Sequence, residues 1–216
     1  MMSTAVVPLR NLRILMIRNL AYCTELPNGL YQLHCLELLQ IVRAPAIRRV
    51  GSEFLQPNHH SHNNSEVGAL FPRFSELTFY GLVEWEEWDW EKQLKAMLTL
   101  EELVLEKCKL RHMPPGLAFN ARELKKLYIY NVIHLSSLEN FNSVVHLDVR
   151  RNIDLKMISN LPKLQKLIVV KCPKLKAPSG GLRHGNNPQI LAGYKPKAFA
   201  TWLLLIAADM HSSWEI

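Results

Sequence analysis

Hydrophobic residues recur along most of the chain in a single spacing, apolar-x-x-apolar-x-x-Leu-x-apolar, where x is any residue. The spacing occurs seven times, and its third apolar position is leucine each time. The seven sets are Leu9/Leu12/Leu15/Ile17, Leu30/Leu33/Leu36/Leu38, Phe71/Phe74/Leu77/Phe79, Met97/Leu100/Leu103/Leu105, Ala121/Leu124/Leu127/Ile129, Phe141/Val144/Leu147/Val149 and Leu161/Leu164/Leu167/Val169. Only 48% of all residues are hydrophobic, so an apolar residue at all 28 positions is not a product of composition. The pattern predicts a repeated structural unit.

Successive sets begin 21, 41, 26, 24, 20 and 20 residues apart. Apart from the second step, these spacings lie within the period of a leucine-rich repeat, about 20 to 29 residues. In such a repeat the Leu-x-apolar segment is a short strand, and looser leucines close the coil on its outer side. The predicted closing residues are Leu135/Leu138, Leu155/Ile158 and Leu175. We predict an α/β solenoid, a leucine-rich-repeat horseshoe with a parallel concave β-sheet and an irregular or short-helical convex side.

The repeats divide the chain into two predicted parts. Residues 1–178 form a leucine-rich-repeat domain of about seven to eight repeats, because the 41-residue step leaves room for one degenerate repeat. That step contains the polar, turn-rich run from Gln56 to Glu66, which predicts an insertion loop near residues 52–68. After Ala177 the leucine pattern stops, so residues 179–216 are predicted to be an atypical C-terminal tail that could cap the last coil.

A further position lies three residues after the last apolar residue of each set, where this repeat type often carries Asn or Cys. The residues there are Leu20, Ile41, Leu82, Cys108, Val132, Asn152 and Cys172. The four cysteines of the chain form no C-x-x-C pair, which argues against a disulfide framework or a zinc site. We therefore predict that Cys108 and Cys172 are small buried residues of a reduced protein rather than redox groups.

Residues that alternate with the buried leucines are predicted to point toward the concave face, where partners of solenoids usually dock. One predicted row is Met16, Glu37, Thr78, Val104, Tyr128, Asp148 and Ile168, and the next is Arg18, Leu39, Tyr80, Glu106, Tyr130, Arg150 and Val170. Aromatic and Arg side chains dominate the energetics of protein interfaces. The predicted protein-binding residues are Tyr80, Tyr128, Tyr130, Asp148 and Arg150. The alternative is that each is an ordinary solvated strand residue.

The formal charge of +7 is unevenly placed, since residues 1–150 are neutral and residues 151–216 carry ten basic and three acidic residues. A group of lysines follows the last strand set or lies within it: Lys163, Lys166, Lys171, Lys174 and Lys176. Such a group can attract nucleic acid, anionic lipid or an acidic protein. Nucleic acid is not predicted as a partner, because no aromatic platform or nucleic-acid motif accompanies the lysines.

Two local clusters could carry chemistry. His59, His60, His62 and Glu66 are ordinary metal ligands, but their predicted loop has nothing to fix ligand geometry, so we predict a solvated loop and no metal. The acidic and aromatic run from Glu84 to Glu91 could suggest acid/base work, sugar stacking or an acidic docking patch. Its place between repeats instead predicts that Trp85 and Trp88 pack on the outer face while the carboxylates stay in water.

No recognisable catalytic motif occurs, and no nucleophile has an activating base at an informative spacing, so we predict neither an enzyme nor a cofactor. The N-terminus lacks the layout of a secretory signal. The longest apolar run, Ala198 to Ala208, has 11 residues, against the roughly 20 that a membrane span needs. We predict an intracellular protein without a membrane span, in the cytoplasm or the nucleus.

Several segments resemble the C-terminal repeats of plant NLR disease-resistance proteins, the receptors with coiled-coil, nucleotide-binding and leucine-rich-repeat regions. They are L-P-N-G-L (Leu26–Leu30), A-I-R-R-V-G (Ala46–Gly51), F-P-R-F-S-E-L (Phe71–Leu77), V-E-W-E-E-W-D-W (Val83–Trp90) and C-P-K-L-K (Cys172–Lys176). The resemblance runs from about Leu9 to Lys176. It implies a role in plant innate immunity in which the repeats recognise a pathogen effector or a host guardee, or restrain a nucleotide-binding switch domain.

The chain departs from that family in lacking a G-x-x-x-x-G-K-[ST] phosphate loop, so the nucleotide switch is missing from it. Together with a start almost directly in a repeat, this suggests a truncated receptor fragment. A second alternative is a leucine-rich-repeat substrate receptor of a ubiquitin ligase, although residues 1–8 leave no room for an F-box-like segment. A third is binding of nucleic acid or membrane through the basic C-terminal third, which would weaken strongly with salt.

Overall fold

The computed structural model describes residues 9–27, 29–51, 54–55 and 70–176, and the backbone of residues 189–193. In this part of the chain the strands are β1 (Ile14–Arg18), β2 (Leu38–Val42), β3 (Arg49–Val50), β4 (Glu76–Tyr80), β5 (Glu87–Trp88), β6 (Glu102–Cys108), β7 (Lys126–Val132), β8 (Ser137–Glu139), β9 (His146–Arg150), β10 (Met157–Ser159), β11 (Lys166–Val170) and β12 (Gln189–Gly193). Helix is limited to α1 (Pro115–Asn120) and a 3-10 turn at Leu30–Gln32. The predicted insertion loop, with His59, His60, His62 and Glu66, lies outside the described residues, apart from Phe54 and Leu55.

The main sheet has eight parallel strands in the order β1-β2-β4-β6-β7-β9-β11-β12. Each coil contributes one strand and then returns outside the sheet, because parallel neighbours need a long crossover connection. Two further parallel pairs, β3 with β5 and β8 with β10, form outside the main sheet. The fold is a parallel-strand solenoid with little helix. Its last strand, β12, lies within the segment predicted to be the C-terminal tail.

Most of the predicted apolar positions of the stacked coils form the core. The first set is the exception, because Leu9 is 59% exposed and Leu12, Leu15 and Ile17 are only partly buried. From β2 to β11 the two inward residues of each strand are at most 1% exposed, as in Leu77/Phe79 and Leu147/Val149. The residues predicted to close the outer side, Leu135/Leu138, Leu155/Ile158 and Leu175, are at most 3% exposed. These positions are therefore confirmed as core. Each coil buries its leucines against its neighbours, which is how a solenoid gains stability.

The predicted frame of the second repeat is wrong. Leu39 of β2 pairs with Leu15 of β1, and Ile41 pairs with Ile17, so the strand core is Leu39/Ile41 rather than Leu36/Leu38. Apolar residues every third position from residue 30 to residue 39 fit both frames equally well. The pairing of β2 with its neighbours decides between them, because a change of register moves side chains to the opposite face.

This shift changes which residues of the second coil face outward. Leu39, predicted to lie on the concave face, is fully buried, and the outward positions belong to Gln40 and Val42. Glu37, also predicted for that face, precedes the strand and forms an ion pair with Arg13 at 2.7 Å. The position three residues beyond the strand core is therefore Ala44, which is buried, and not Ile41.

That position forms a row of buried residues beside the sheet. After Leu20, which is partly buried, its members are Ala44, Leu82, Cys108, Val132, Asn152 and Cys172, all at most 2% exposed. The cysteines are free, and burial raises the pKa of the Cys108 thiol to about 12. Asn152 donates from Nδ2 to the carbonyl oxygen of Ile129 at 2.7 Å, and its Oδ1 accepts from the amide of Val132 at 2.8 Å. The predicted burial of both cysteines is confirmed.

In seven of the eight main-sheet strands, the residue two positions after the last core residue has a left-handed backbone, with φ between 53° and 73°. The seven members of this left-handed row are Asn19, Arg43, Gly81, Lys107, Asn131, Arg151 and Lys171. A left-handed conformation costs roughly 1–2 kcal/mol for a residue with a Cβ. Sheet hydrogen bonds offset part of that cost: for example, the amide of Arg43 donates to the carbonyl of Tyr80 at 2.7 Å.

Trp85 and Trp88 lie inside the solenoid, not on its outer face as predicted. They are 0% and 5% exposed, and their rings meet the ring of Phe79 edge-on at centroid distances of 5.0 Å and 5.6 Å. Trp88 and Trp90 both point inward because alternate side chains of an extended chain face the same side. Trp85 instead closes the turn before β5, where its amide donates to the carbonyl oxygen of Leu82 at 3.0 Å. Glu84 and Glu86 point outward as predicted, and they pair with Lys109 and Arg111 of the next coil.

Replacing Gly116 of α1 with alanine is expected to lower the free energy of unfolding by about 1–3 kcal/mol through overpacking. A Cβ at Gly116 would lie 2.3 Å from Cδ1 of Trp90 and 2.6 Å from its carbonyl oxygen. Alanine is otherwise the better helix former by roughly 0.5–1 kcal/mol. Urea denaturation measures the difference, and Ala118→Gly at a partly buried position of the same helix reports the combined effect of helix propensity and a lost methyl group. Unchanged or raised stability of Gly116→Ala would contradict this packing.

Candidate functional site

The outward side chains of the main sheet form a continuous face, called the open face below. Its three rows follow the strand register. The first is Ile14, Leu38, Glu76, Glu102, Lys126, His146 and Lys166; the second is Met16, Gln40, Thr78, Val104, Tyr128, Asp148 and Ile168; the third is Arg18, Val42, Tyr80, Glu106, Tyr130, Arg150 and Val170. All five predicted protein-binding residues occupy these rows, because they alternate with the buried core.

Four of the five meet in one cluster, the tyrosine–arginine patch, which consists of Tyr128, Tyr130, His146, Asp148 and Arg150. Arg150 donates from Nε and Nη2 to the two carboxylate oxygens of Asp148 at 2.7 Å and 2.8 Å. Its guanidinium also lies over the ring of Tyr130, 5.5 Å from the centroid. The rings of Tyr128 and Tyr130 are 6.1 Å apart. Paired hydrogen bonds and ring stacking together hold the guanidinium in one orientation.

Asp148 is buried within this patch. Its side chain is 4% exposed, whereas the side chain of Arg150 is 48% exposed. Burial and the nearby carboxylate of Asp148 together raise the pKa of Tyr130. This burial favours a positioning role for Asp148, whose carboxylate holds Arg150 beside Tyr130; direct contact of Asp148 with a partner stays a prediction.

His146 is a member of the patch that sequence reasoning missed. Its ring meets the ring of Tyr128 edge-on at a centroid distance of 5.3 Å. Burial, followed by the charge of Lys166, lowers the pKa of its imidazole. Its Nε2 atom is buried and has no hydrogen-bond partner among the described residues. The signal was present in the sequence, since His146 lies directly before Leu147 and so points outward by the same alternation.

Tyr80 lies in the same row as Tyr130, two strands away, with Glu106 between them. Lys107 donates from Nζ to the hydroxyl oxygen of Tyr80 at 2.6 Å, and the same atom lies 4.7 Å from the ring centroid. Lys107 could not be found from strand alternation, because it belongs to the left-handed row, where the backbone turns. The structure thus provides a second aromatic side chain covered by a cation on the open face.

The patch combines partly buried aromatic surface with a cation whose orientation is fixed. The guanidinium of Arg150 carries five donor N–H groups and uses two of them on Asp148. The others, with the tyrosine hydroxyls, can bind carbonyl or carboxylate oxygens, while the rings supply apolar contact area. Such an arrangement suits recognition of a polypeptide surface.

The predicted basic group does not form one compact cluster of side chains. The lysines Lys163, Lys166, Lys171, Lys174 and Lys176 lie at different points around the last coil, before, within and after β11, and Lys174 pairs with Asp154 at 2.6 Å. In the described part of the chain, no three His, Cys, Asp or Glu residues come together to hold a metal ion. None of the helices there is long and apolar enough to cross a membrane.

Comparison with known proteins relates part of the chain to plant defence. No protein-family profile matches it. Two proteins of Arabidopsis thaliana, "Probable disease resistance protein RF45" and "Probable disease resistance protein RDL5", are each 34% identical to the chain over 96 residues. The match covers 37% of this chain and 9% of each relative, so the chain spans only a small fraction of the relatives it matches. The chain therefore contains a region similar to plant disease-resistance proteins.

Proposed function

We propose that this chain is a non-catalytic protein-recognition module in plant defence, built as a leucine-rich-repeat horseshoe that binds a protein ligand on its open face. The observation that carries the proposal is the tyrosine–arginine patch, in which Asp148 fixes Arg150 beside Tyr130. A side chain that is ordered before binding loses less entropy when its partner docks. The similarity to disease-resistance proteins supports the defence role.

The ligand we expect is a pathogen effector, a host protein on which an effector acts, or the nucleotide-binding switch domain of a receptor. Each would contact the open face with carbonyl or carboxylate oxygens placed against Arg150. The protein acts inside the cell, in the cytoplasm or the nucleus. It uses no cofactor, since recognition needs only the surface that the strands present.

Substitution of the patch tests this proposal. Partners are selected from a displayed plant and pathogen cDNA library with the wild-type chain, and their affinities are measured by calorimetry. Arg150→Ala and Tyr130→Ala are each expected to weaken selected partners at least about tenfold, a loss of about 1.4 kcal/mol. The matched control is Arg151→Ala, which removes an exposed arginine from the left-handed row beside the patch.

Two outcomes would count against the proposal. If the wild-type chain selects no partner from the library, the open face does not recognise a protein of the expected classes. If it selects partners that bind Arg150→Ala and Tyr130→Ala as tightly as the wild type, recognition occurs elsewhere on the molecule.

A further inference from the structure

A groove runs along one side of the solenoid, beside the segments that precede β7, β9 and β11. We call it the lateral groove; its volume is about 830 Å³, which is in the range of sites that bury a ligand of several side chains. Its apolar lining includes Met113, Phe119 and Phe141. Phe141 is buried beneath the groove, while Phe119 of α1 is 53% exposed. An exposed phenylalanine beside such a concavity indicates a surface that binds something apolar.

The rim of the lateral groove is basic. Lys92, Arg122 and Lys163 line it, and all three are exposed and form no ion pair within the described residues. Glu139 is the single carboxylate in its lining. Some other cations of the solenoid pair with a carboxylate of a neighbouring coil, as Lys109 does with Glu84. The groove therefore combines apolar surface with an excess of unpaired positive charge.

The chain contains a segment with the complementary composition. Residues 198–216 have no Lys or Arg, begin with the apolar run Ala198–Ala208, and carry Asp209 and Glu215 after it. An apolar run of this length gains free energy by leaving water. This segment lies outside the described residues, and none of the described residues covers Phe119 in the way that the strand cores are covered.

The lateral groove is within reach of this segment. Lys163 lies three residues before the first residue of β11, and β12 is the neighbouring strand, so one end of the groove is a single coil away. From Gly193 the chain must return along the length of a five-residue strand, about 17 Å. Residues 194–197 extend up to about 13 Å, and the 11 residues of the apolar run add up to about 36 Å. Tethering also gives the segment an effective concentration in the millimolar range.

We propose that residues 198–216 bind in the lateral groove of the same chain, with the apolar run against Phe119 and the carboxylates near the basic rim. The occupied groove is separate from the open face, so the segment does not compete with the proposed ligand. The segment thereby covers the exposed apolar surface of Phe119 on the side of the coils.

Limited chymotrypsin digestion of the full chain, followed by intact mass, tests the proposal through cleavage after Phe199 and Trp202. Cleavage should be slow in the wild type and about tenfold faster in Phe119→Ala/Lys163→Glu, because proteolysis follows the population of the open form. The matched control is Ile153→Ala/Arg73→Glu. Ile153 is an exposed apolar residue, and Arg73 follows a proline in its coil as Lys163 does. Equal urea midpoints exclude general unfolding.

Two results would overturn the proposal. One is cleavage of the groove variant at the same rate as the wild type. If both are cleaved fast, the segment is unprotected; if both are cleaved slowly, the segment is protected elsewhere, for example against β12. The other is equal acceleration in the control variant. If the double variant does not fold, Arg122→Glu, an exposed single substitution in the rim, is expected to accelerate cleavage in the same direction.

Discussion

Phe79→Ala is expected to lower the free energy of unfolding by about 3–5 kcal/mol, the usual cost of deleting a buried phenyl ring. Phe79 is fully buried in β4 and contacts the rings of Phe54, Trp85 and Trp88. Three aromatic neighbours surrounding one ring leave little freedom for the cavity to collapse. Each neighbour also loses an edge-to-face or tilted contact, worth about 0.5–1.5 kcal/mol per pair.

Urea denaturation followed by tryptophan fluorescence measures this change, because Trp85 and Trp88 line the cavity and should emit at longer wavelength. Phe79→Leu, which refills part of the volume, should recover more than half of the loss. The control Val83→Ala lies in the same coil, where the side chain is exposed. A loss below about 1 kcal/mol for Phe79→Ala would show that the aromatic core is not tightly packed.

Asn152→Leu is expected to cost about 2–4 kcal/mol, although leucine is apolar and similar in size. The asparagine amide bonds to the carbonyl oxygen of Ile129 and the amide of Val132 in the neighbouring coil, and leucine would remove both of these buried hydrogen bonds. A buried backbone group without a hydrogen bond costs about 1–3 kcal/mol. Because the lost bonds join two neighbouring coils, the cooperativity of unfolding should also fall, visible as a smaller denaturant m-value.

The matched control for Asn152→Leu is Asn160→Leu. Asn160 also bonds across one coil, to Oδ1 of Asn140 at 2.7 Å, but both side chains are exposed to water. Asn160 also has a left-handed backbone with φ 54°, which leucine tolerates less well than asparagine, so the control should cost no more than about 1–2 kcal/mol and less than Asn152→Leu. Equal losses in the two variants would mean that burial of the Asn152 amide is not what makes it important.

Most strand-core residues of the solenoid were predictable from sequence, because apolar residues that recur at a fixed spacing turn the same face of each strand toward the interior. The second repeat shows the limit of that reasoning. Leu36 and Leu39 both satisfy the spacing, and only the pairing of β2 with β1 and β4 selects Leu39. Where apolar residues recur every third position, local spacing cannot fix the register.

Contacts between coils also determine the orientation and burial of side chains that local sequence patterns cannot predict. The Glu-Trp run looks like an exposed acidic segment, yet Trp85 and Trp88 turn inward, where their rings pack against Phe79. On the open face, alternation correctly placed Tyr128, Tyr130 and Arg150, but not the depth of each side chain. Asp148 is buried by its own neighbours, which depends on contacts across strands rather than on its position in one strand.

The left-handed row bears on the order in which the coils form. Seven described coils adopt that conformation, and Gly81 is the only glycine among their left-handed residues, so its coil forms without the steric cost of a Cβ there. The same coil carries Phe79 and its aromatic contacts. An array in which each coil contacts only its neighbours can nucleate at one place and grow outward. Folding is therefore expected to begin in the coil of β4 and to spread toward both ends.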